Sequence, residues 1–410
     1  MDADLLLKII LGFLVFDFAL ERWLNWLNNK SIKTQLPEEA VGIYKPEEYQ
    51  KMLRYEKVTD QFSSLVGTLS FGVSFYLLSI GFFGWFDGLI RYAYGSHPIV
   101  TGLLFFGILG FVSDILTTPF AVYSTFVIEQ KFGFNKTTVK TFITDKLKGW
   151  LVGALMGGLI YSLIVWLFLT FGENFWVYAW IFISLFSIVM SMFYASWILP
   201  LFNKLTPLPN GELKSKIEGF CNKINYPLTE LFVMDGSKRS TKANAFFTGL
   251  GKKKKIVLFD TLIEKLTEEE VEAVLAHEVG HYKKKHILQS TITSIITTGI
   301  YLFVFAQFLN NPLLAEALGT SIPSFHISIL AFGLLFSPIS TITGLVGNVV
   351  SRKNEFEADA FAKEFSNREA LKSGLKKLAV DSLSNLTPHP FYVFFNYSHP
   401  PLLKRLKALE

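Results

Sequence analysis

The sequence predicts a mainly α-helical membrane protein, a bundle of seven transmembrane helices with a small α/β unit on its cytosolic side. Three observations predict it. The 410 residues are 50% hydrophobic and only 18% charged, with 41 phenylalanines and a mean hydropathy of +0.37; soluble domains carry about a quarter charged residues. Apolar stretches long enough to cross a bilayer, about 20 residues, recur seven times. Lys and Arg are alternately abundant and scarce in the loops between them. The single cysteine, Cys221, excludes a disulfide framework and a multi-cysteine metal site, and reads as a small buried residue.

The stretches lie near 5–24, 62–86, 99–123, 150–171, 175–202, 290–309 and 325–349. The first opens MDADLLLKII, without a basic n-region or a clear cleavage site, so it reads as a retained span. Between the first two lie Arg22, Lys30, Lys33, Lys45, Lys51, Arg54 and Lys57; between the next two there is only Arg91. The third loop holds Lys131, Lys136, Lys140, Lys146 and Lys148, and the fourth has no Lys or Arg. A lysine-rich segment follows the fifth span, the loop at 310–324 has none, and the tail is basic. The positive-inside rule then places the N-terminus outside and the C-terminus in the cytosol. On that topology the sequons at Asn135, Asn385 and Asn396 are cytosolic and stay unglycosylated. Asp17 and Asp114 lie within spans and predict a polar bundle interior, through interhelix hydrogen bonds or a watery cavity.

This divides the chain into 1–202, five spans; 203–289, a cytosolic insert; 290–350, two further spans; and 351–410, a C-terminal segment of helix and loop. In the insert, LPNGELKSKIEGFCNKI reads as a helix, with LTELFVMDG and KKKKIVLFD as short strands. Thr267 reads as the N-cap of a helix whose first turn is acidic. The run Lys252–Lys255 beside a membrane reads as a solvated strand end or a headgroup contact, not a nucleic-acid site.

That acid-capped helix contains AHEVGH, residues 276–281. Positions four apart share a helix face, so His277 and His281 point the same way, with Glu278 beside them. This HExxH pattern is that of a zinc hydrolase whose glutamate takes a proton from water. Catalytic zinc takes three protein ligands and an open fourth position. The metzincin continuation fails, since Lys284 and Ile287 stand where glycine and histidine are needed. His286, about 140° around a continuous helix from His281, reads as a surface histidine pointing elsewhere. The third ligand is therefore sought in SRKNEFEADAFAKEF, residues 351–365. Glu355 and Asp359 are four apart, so one can bind metal while the other orients a ligating imidazole. Face geometry favours Glu355 as ligand and leaves Glu357 as a solvated charge.

Further blocks accompany the metal motif: FVIEQKFGFNKTT at 126–138, LPLFNKLTPLPNGELK at 199–214, GSKRSTKANAFFTG at 236–249, KKIVLFDTLI at 254–263, NEFEADAFA at 354–362 and SHPPLLKRL at 398–406. In this order they resemble the type I CAAX prenyl protease family of integral membrane zinc metalloendopeptidases. The resemblance implies one zinc per chain on His277, His281 and Glu355, with Glu278 as general base and Asp359 supporting the ligands. It implies that Asn244 and Ala245 lie on an edge strand that pairs with the substrate peptide, and that His399 and Arg405 hold a carbonyl or a developing oxyanion. One departure is TKANAFF, which lacks the Ser-His pair expected just before Asn-Ala. The implied partners are a prenylated or other peptide substrate and the lipid bilayer, with no nucleic acid. The short length and absence of a retention signal suit a bacterial inner membrane, and the endoplasmic reticulum membrane if the host is eukaryotic.

Two rivals share features of this reading. A membrane quality-control zinc protease has the same metal motif, without a prenyl requirement, but with fewer spans and no 126–138 block. A seven-span receptor or transporter with a structural metal would normally close it with four ligands, often cysteines, whereas this chain has one cysteine and keeps Glu278.

Overall fold

The computed structural model describes residues 2–228, 230–248 and 255–410, so of the Lys252–Lys255 run only Lys255 falls within it. The first half is helical: α1 (Ala3–Ser31), α2 (Pro46–Ser79), α3 (Phe82–Tyr94), α4 (Pro98–Tyr123), α5 (Val139–Phe171) and α6 (Phe175–Trp197). A four-stranded sheet follows, β1 (Leu205–Pro207), β2 (Glu230–Met234), β3 (Ala245–Thr248) and β4 (Lys255–Phe259), with α7 (Glu212–Lys223) between its first two strands. Then come α8 (Glu268–Lys283), α9 (His286–Phe308), α10 (Phe325–Leu335), α11 (Ser337–Phe365), α12 (Arg368–Asp381) and α13 (Leu402–Ala408).

Among the described residues, four helical stretches can cross a membrane by length and apolarity: Pro46–Ser79, Pro98–Phe132, Val139–Phe202 and His286–Phe308. The bent pair α10 and α11, turned by 59°, makes a fifth if it is one span. The stretch Val139–Phe202 comprises α5 and α6, separated at Gly172, whose φ of +55° ends the first helix. The expected first span falls on α1, whose apolar run is interrupted by Lys8, Asp17, Glu21 and Arg22.

Two expected elements differ in detail. The apolar run at 62–86 is not one helix, because Gly81, at φ +67°, ends α2 and starts α3. The loop at 310–324 contains a short helix, Pro312–Ala317, and its Gly319 lies against α3. A Cβ on Gly84 would come within 2.2 Å of the Gly319 backbone, so only glycine permits that approach. Asp114 makes the expected interhelix bonds, accepting from Trp150 Nε1 at 2.8 Å and pairing with Lys146 at 2.7 Å.

The sheet order is β1-β2-β4-β3. The β2–β4 pair is parallel, with Leu231 opposite Ile256, and β3 runs antiparallel to β4, with Ala245 opposite Leu258. That leaves β3 as an edge. The expected strands in LTELFVMDG and KKKKIVLFD are β2 and β4, while β1 was not anticipated. Cys221 is buried in α7, as expected. Thr267 caps α8: its hydroxyl accepts from Glu270 N–H, and the Glu270 carboxylate accepts from Thr267 N–H, a reciprocal box.

One core joins insert and tail. Ile217 and Phe220 of α7, Leu231, Ile256 and Leu258 of the sheet, and Val271, Leu275 and Val279 of α8 pack with Phe361 of α11, Leu371 of α12 and Leu409. The insert is also clamped to the membrane helices. Arg239 grips Asp145 of α5 with two hydrogen bonds, at 2.7 and 2.9 Å. Lys136 N–H donates to the Arg239 carbonyl and Thr241 N–H to that of Phe134, so the 126–138 and 236–249 blocks dock on each other. Asn135 and Asn385 are buried, each accepting from the backbone N–H two residues on.

The contact between α8 and α11 sets the position of the candidate ligands. A Cβ on Gly280 would meet the Ala358 Cα at 3.0 Å and its carbonyl oxygen at 3.1 Å. Gly280→Val must therefore force the two helices apart, at a cost of about 1–3 kcal/mol typical of overpacking. We expect a lower melting temperature and weaker metal binding for this variant. Wild-type melting and metal affinity would show that the two helices are not held by this approach.

Candidate metal centre and active site

Two helices bring the candidate ligands together. The i, i+4 spacing on α8 puts His277 and His281 on one face, with their Nε2 atoms 3.2 Å apart. Helix α11 supplies Glu355, whose Oε1 is 3.2 Å from His281 Nε2 and whose Oε2 is 3.5 Å from His277 Nε2. One donor atom from each of the three lies within 4.8 Å of the others.

The residues fit a metal on grounds internal to this arrangement. His277 Nδ1 is 2.8 Å from Asp359 Oδ1, so Nδ1–H donates to the carboxylate and leaves the Nε2 lone pair facing the cluster. Glu355 Oε2 is buried without a hydrogen-bond partner. Two imidazoles and a carboxylate form the donor set that suits zinc and leaves a fourth position open. Asp359 thus stands directly behind His277, on the ring edge away from the cluster. It is buried and held by Arg405, whose Nε and Nη2 donate to its two oxygens at 2.8 and 2.6 Å.

A cavity of about 230 Å³ opens beside the cluster. Its lining includes Asn244, Ala245, His277, Glu278, Glu355, His399 and Arg405, so the structure brings every one of these predicted residues to one place. Asn244 immediately precedes β3, its carbonyl accepting from Phe259 N–H at 3.0 Å and its Oδ1 from Ala245 N–H at 2.9 Å. His399 Nε2 stands 3.4 Å from Glu355 Oε1, with Ser398 Oγ 3.0 Å from its Nδ1. Arg405 has two donors committed to Asp359, while its Nη1 lies 3.6 Å from Glu355 Oε2.

Two expectations need correction. His286 is buried, not on the surface: its Nδ1 is 3.1 Å from His281 Nδ1 and its Nε2 is 3.1 Å from Glu357 Oε2. The 140° calculation assumed a continuous helix, but α8 ends at Lys283 and Lys285, at φ +63°, turns the chain before α9 begins. Glu357 is half-exposed rather than freely solvated, since it accepts from His286.

Further residues support the cavity without having been singled out in the sequence. Asn348 Nδ2 donates to the Phe395 carbonyl at 2.7 Å, and Arg352 donates to the carbonyls of Val393 and Tyr397. These bonds pin the tail so that His399 reaches Glu355. The signal was present, because Asn348, Arg352, Glu355 and Asp359 recur at helical spacing. Leu371, Leu375 and Leu378 of α12 form an apolar wall of the cavity.

Long apolar helices together with this donor set and its neighbouring glutamate define a membrane metallopeptidase. Residues 27–204 match the family model for the CAAX prenyl protease N-terminal region with five membrane helices, and 207–410 match that for peptidase family M48. The probable CAAX prenyl protease 1 of Schizosaccharomyces pombe is 37% identical over 98% of this chain and 88% of its own. The human CAAX prenyl protease 1 homolog is 33% identical over 98% and 95%. The crystal structure of S. mikatae Ste24p superposes with a TM-score of 0.94 at 32% identity, covering 99% of each chain. The chain belongs to peptidase family M48, among its CAAX prenyl proteases.

Two groups on α8 are electrostatically unusual. Burial would lower the His277 pKa, but the bond to Asp359 and the neighbouring Glu355 carboxylate outweigh it and carry the pKa up to about 9. Burial raises the Glu278 carboxyl above its usual range, which makes its carboxylate a stronger proton acceptor. A metal must displace the His277 proton at any pH below about 9. Apparent affinity should therefore weaken as pH falls from 9, by about tenfold per unit for one displaced proton. Chelator competition between pH 6 and 9 measures it; a flat profile would show that no proton is displaced.

Proposed function

We propose that this protease uses one zinc ion, held by His277, His281 and Glu355, to remove the C-terminal residues that follow a prenyl-cysteine. The observation that carries the reading is the cavity shared by the β3 edge and the candidate metal cluster, with Glu278 in its lining. Zinc there supplies Lewis acidity to the scissile carbonyl and acidifies a water.

The chain's own residues supply the rest. The β3 edge from Asn244 and Ala245 pairs with an extended substrate backbone and aligns the bond to be cut. Glu278 takes a proton from the attacking water and passes it to the leaving amine. His399 and Arg405 Nη1 offer N–H donors to the carbonyl oxygen as negative charge grows there, where fixed donors act strongly. Asp359 fixes the His277 tautomer, and the Arg405 fork holds Asp359 in place. Leu371, Leu375 and Leu378 suit an aliphatic side chain of the departing peptide.

The arrangement in the bilayer follows from the loop charges: seven spans, the N-terminus outside, and the insert and tail on the cytosolic side. A prenyl chain gains about 0.8 kcal/mol per methylene buried, so the substrate arrives along the membrane with its peptide in water. A site on the cytosolic continuation of a membrane helix meets both halves.

Cleavage of a farnesylated CAAX peptide, its unprenylated twin and a Glu278→Gln variant tests this. We expect prenyl-dependent cleavage after the cysteine, and a loss of about 10²–10⁴-fold in Glu278→Gln with zinc retained. Equal cleavage of both peptides would favour membrane-protein quality control instead.

A further inference from the structure

We propose that His286 and Glu357 form a relay that positions the zinc ligand His281, as Asp359 does for His277. The inference rests on the zinc reading above and extends it to residues that the HExxH pattern does not include.

The argument is one of hydrogen-bond polarity. A histidine that binds metal through Nε2 must keep that lone pair free, so its proton sits on Nδ1 and needs an acceptor. For His277 the acceptor is Asp359. His281 Nδ1 instead meets the His286 ring nitrogen Nδ1 at 3.1 Å. Two ring nitrogens at this distance form a hydrogen bond only if one carries the proton and the other accepts. His286 Nε2 lies 3.1 Å from the Glu357 carboxylate, which only accepts when ionised. That fixes the proton of a neutral His286 on Nε2 and leaves its Nδ1 as acceptor. The chain then has one direction: His281 Nδ1–H donates to His286, His286 Nε2–H donates to Glu357, and the His281 Nε2 lone pair faces the cluster.

Geometry separates this role from direct ligation. His286 approaches His281 through Nδ1, on the side of the ring away from His277 and Glu355. Its burial and the turn at Lys285 hold the ring in place. Glu357 is anchored on the same helix as Glu355, so one rigid element supplies both a ligand and the end of the relay.

The test is zinc affinity of the full-length, detergent-purified protein, by chelator competition at fixed neutral pH, with thermal melting followed in parallel. His286→Leu should weaken zinc binding by about 10–100-fold, the usual effect of losing a partner behind a ligand. His286→Gln should recover most of it, because its amide can accept from His281 and donate to Glu357. Glu357→Leu alters a half-exposed helix position and should weaken zinc with little change in melting, which keeps the test open if His286→Leu does not fold. Wild-type affinity in Glu357→Leu, and in any folded His286→Leu, would overturn the relay. Failure of the unmutated protein to bind zinc would overturn the metal reading beneath it, which is a separate result.

Discussion

The close approach of α8 to α11 at Gly280 and Ala358 is the constraint on which the site depends. Each helix alone presents only part of a metal site: two imidazoles on one, two carboxylates on the other. Backbone contact at Gly280 brings Glu355 within 3.5 Å of both rings and Asp359 within 2.8 Å of His277. A larger residue would hold the helices apart by the width of a methyl group, and the ligand distances have no slack for that. Phe361, Ala362 and Val279 fill the contact on either side, so the ligand geometry is set by the same core that folds the insert onto the tail.

Burying this much charge requires compensation, because an unpaired ion in a low-dielectric interior costs several kcal/mol. The Asp359 carboxylate is neutralised by the two-pronged Arg405 fork, which leaves Glu355 as the carboxylate available to a divalent ion. Such an ion, with one anionic and two neutral ligands, retains net positive charge, which suits polarising a carbonyl. Arg405 thus serves the site by removing one carboxylate's charge from competition as well as by facing the cavity. The basic fork sits on the last helix, α13, so the end of the chain participates in the electrostatics of its centre.

Much of this was legible in the sequence where chemistry depends on spacing within one helix. The i, i+4 pairs His277/His281 and Glu355/Asp359 needed no tertiary information, and Thr267 with Glu270 marked the helix start. Strands β2 and β4 were legible because short apolar runs bounded by turn residues admit few alternatives. What could not be read depended on breaks in helices. His286 was misplaced because Lys285 adopts a left-handed conformation that no local pattern announced. The end of α2 at Gly81, and the 59° bend before α11, lie inside runs that hydropathy alone treats as continuous. The edge position of β3 was implied by the family resemblance alone, since its pairing with β4 is one to which sequence order is blind.

The bend before α11 has a mechanical consequence. From Ser337 the helix runs without a break to Phe365, through the apolar stretch that ends near residue 350 and on past Glu355 and Asp359. The boundary expected at 350/351 therefore falls inside one rigid rod, with no linker between its apolar stretch and the candidate metal ligand Glu355. At 1.5 Å per residue, Val346 and Glu355 are about 14 Å apart along that axis. The exposed apolar face around Val346 and Val349 and the polar stripe from Asn348 to Asp359 belong to successive turns of the same helix. Any tilt of the rod in the bilayer must be transmitted to Glu355, and any tilt relative to α8 must strain the Gly280 contact. The rod thereby keeps Glu355 at a fixed distance along one axis from the exposed apolar face at Val346.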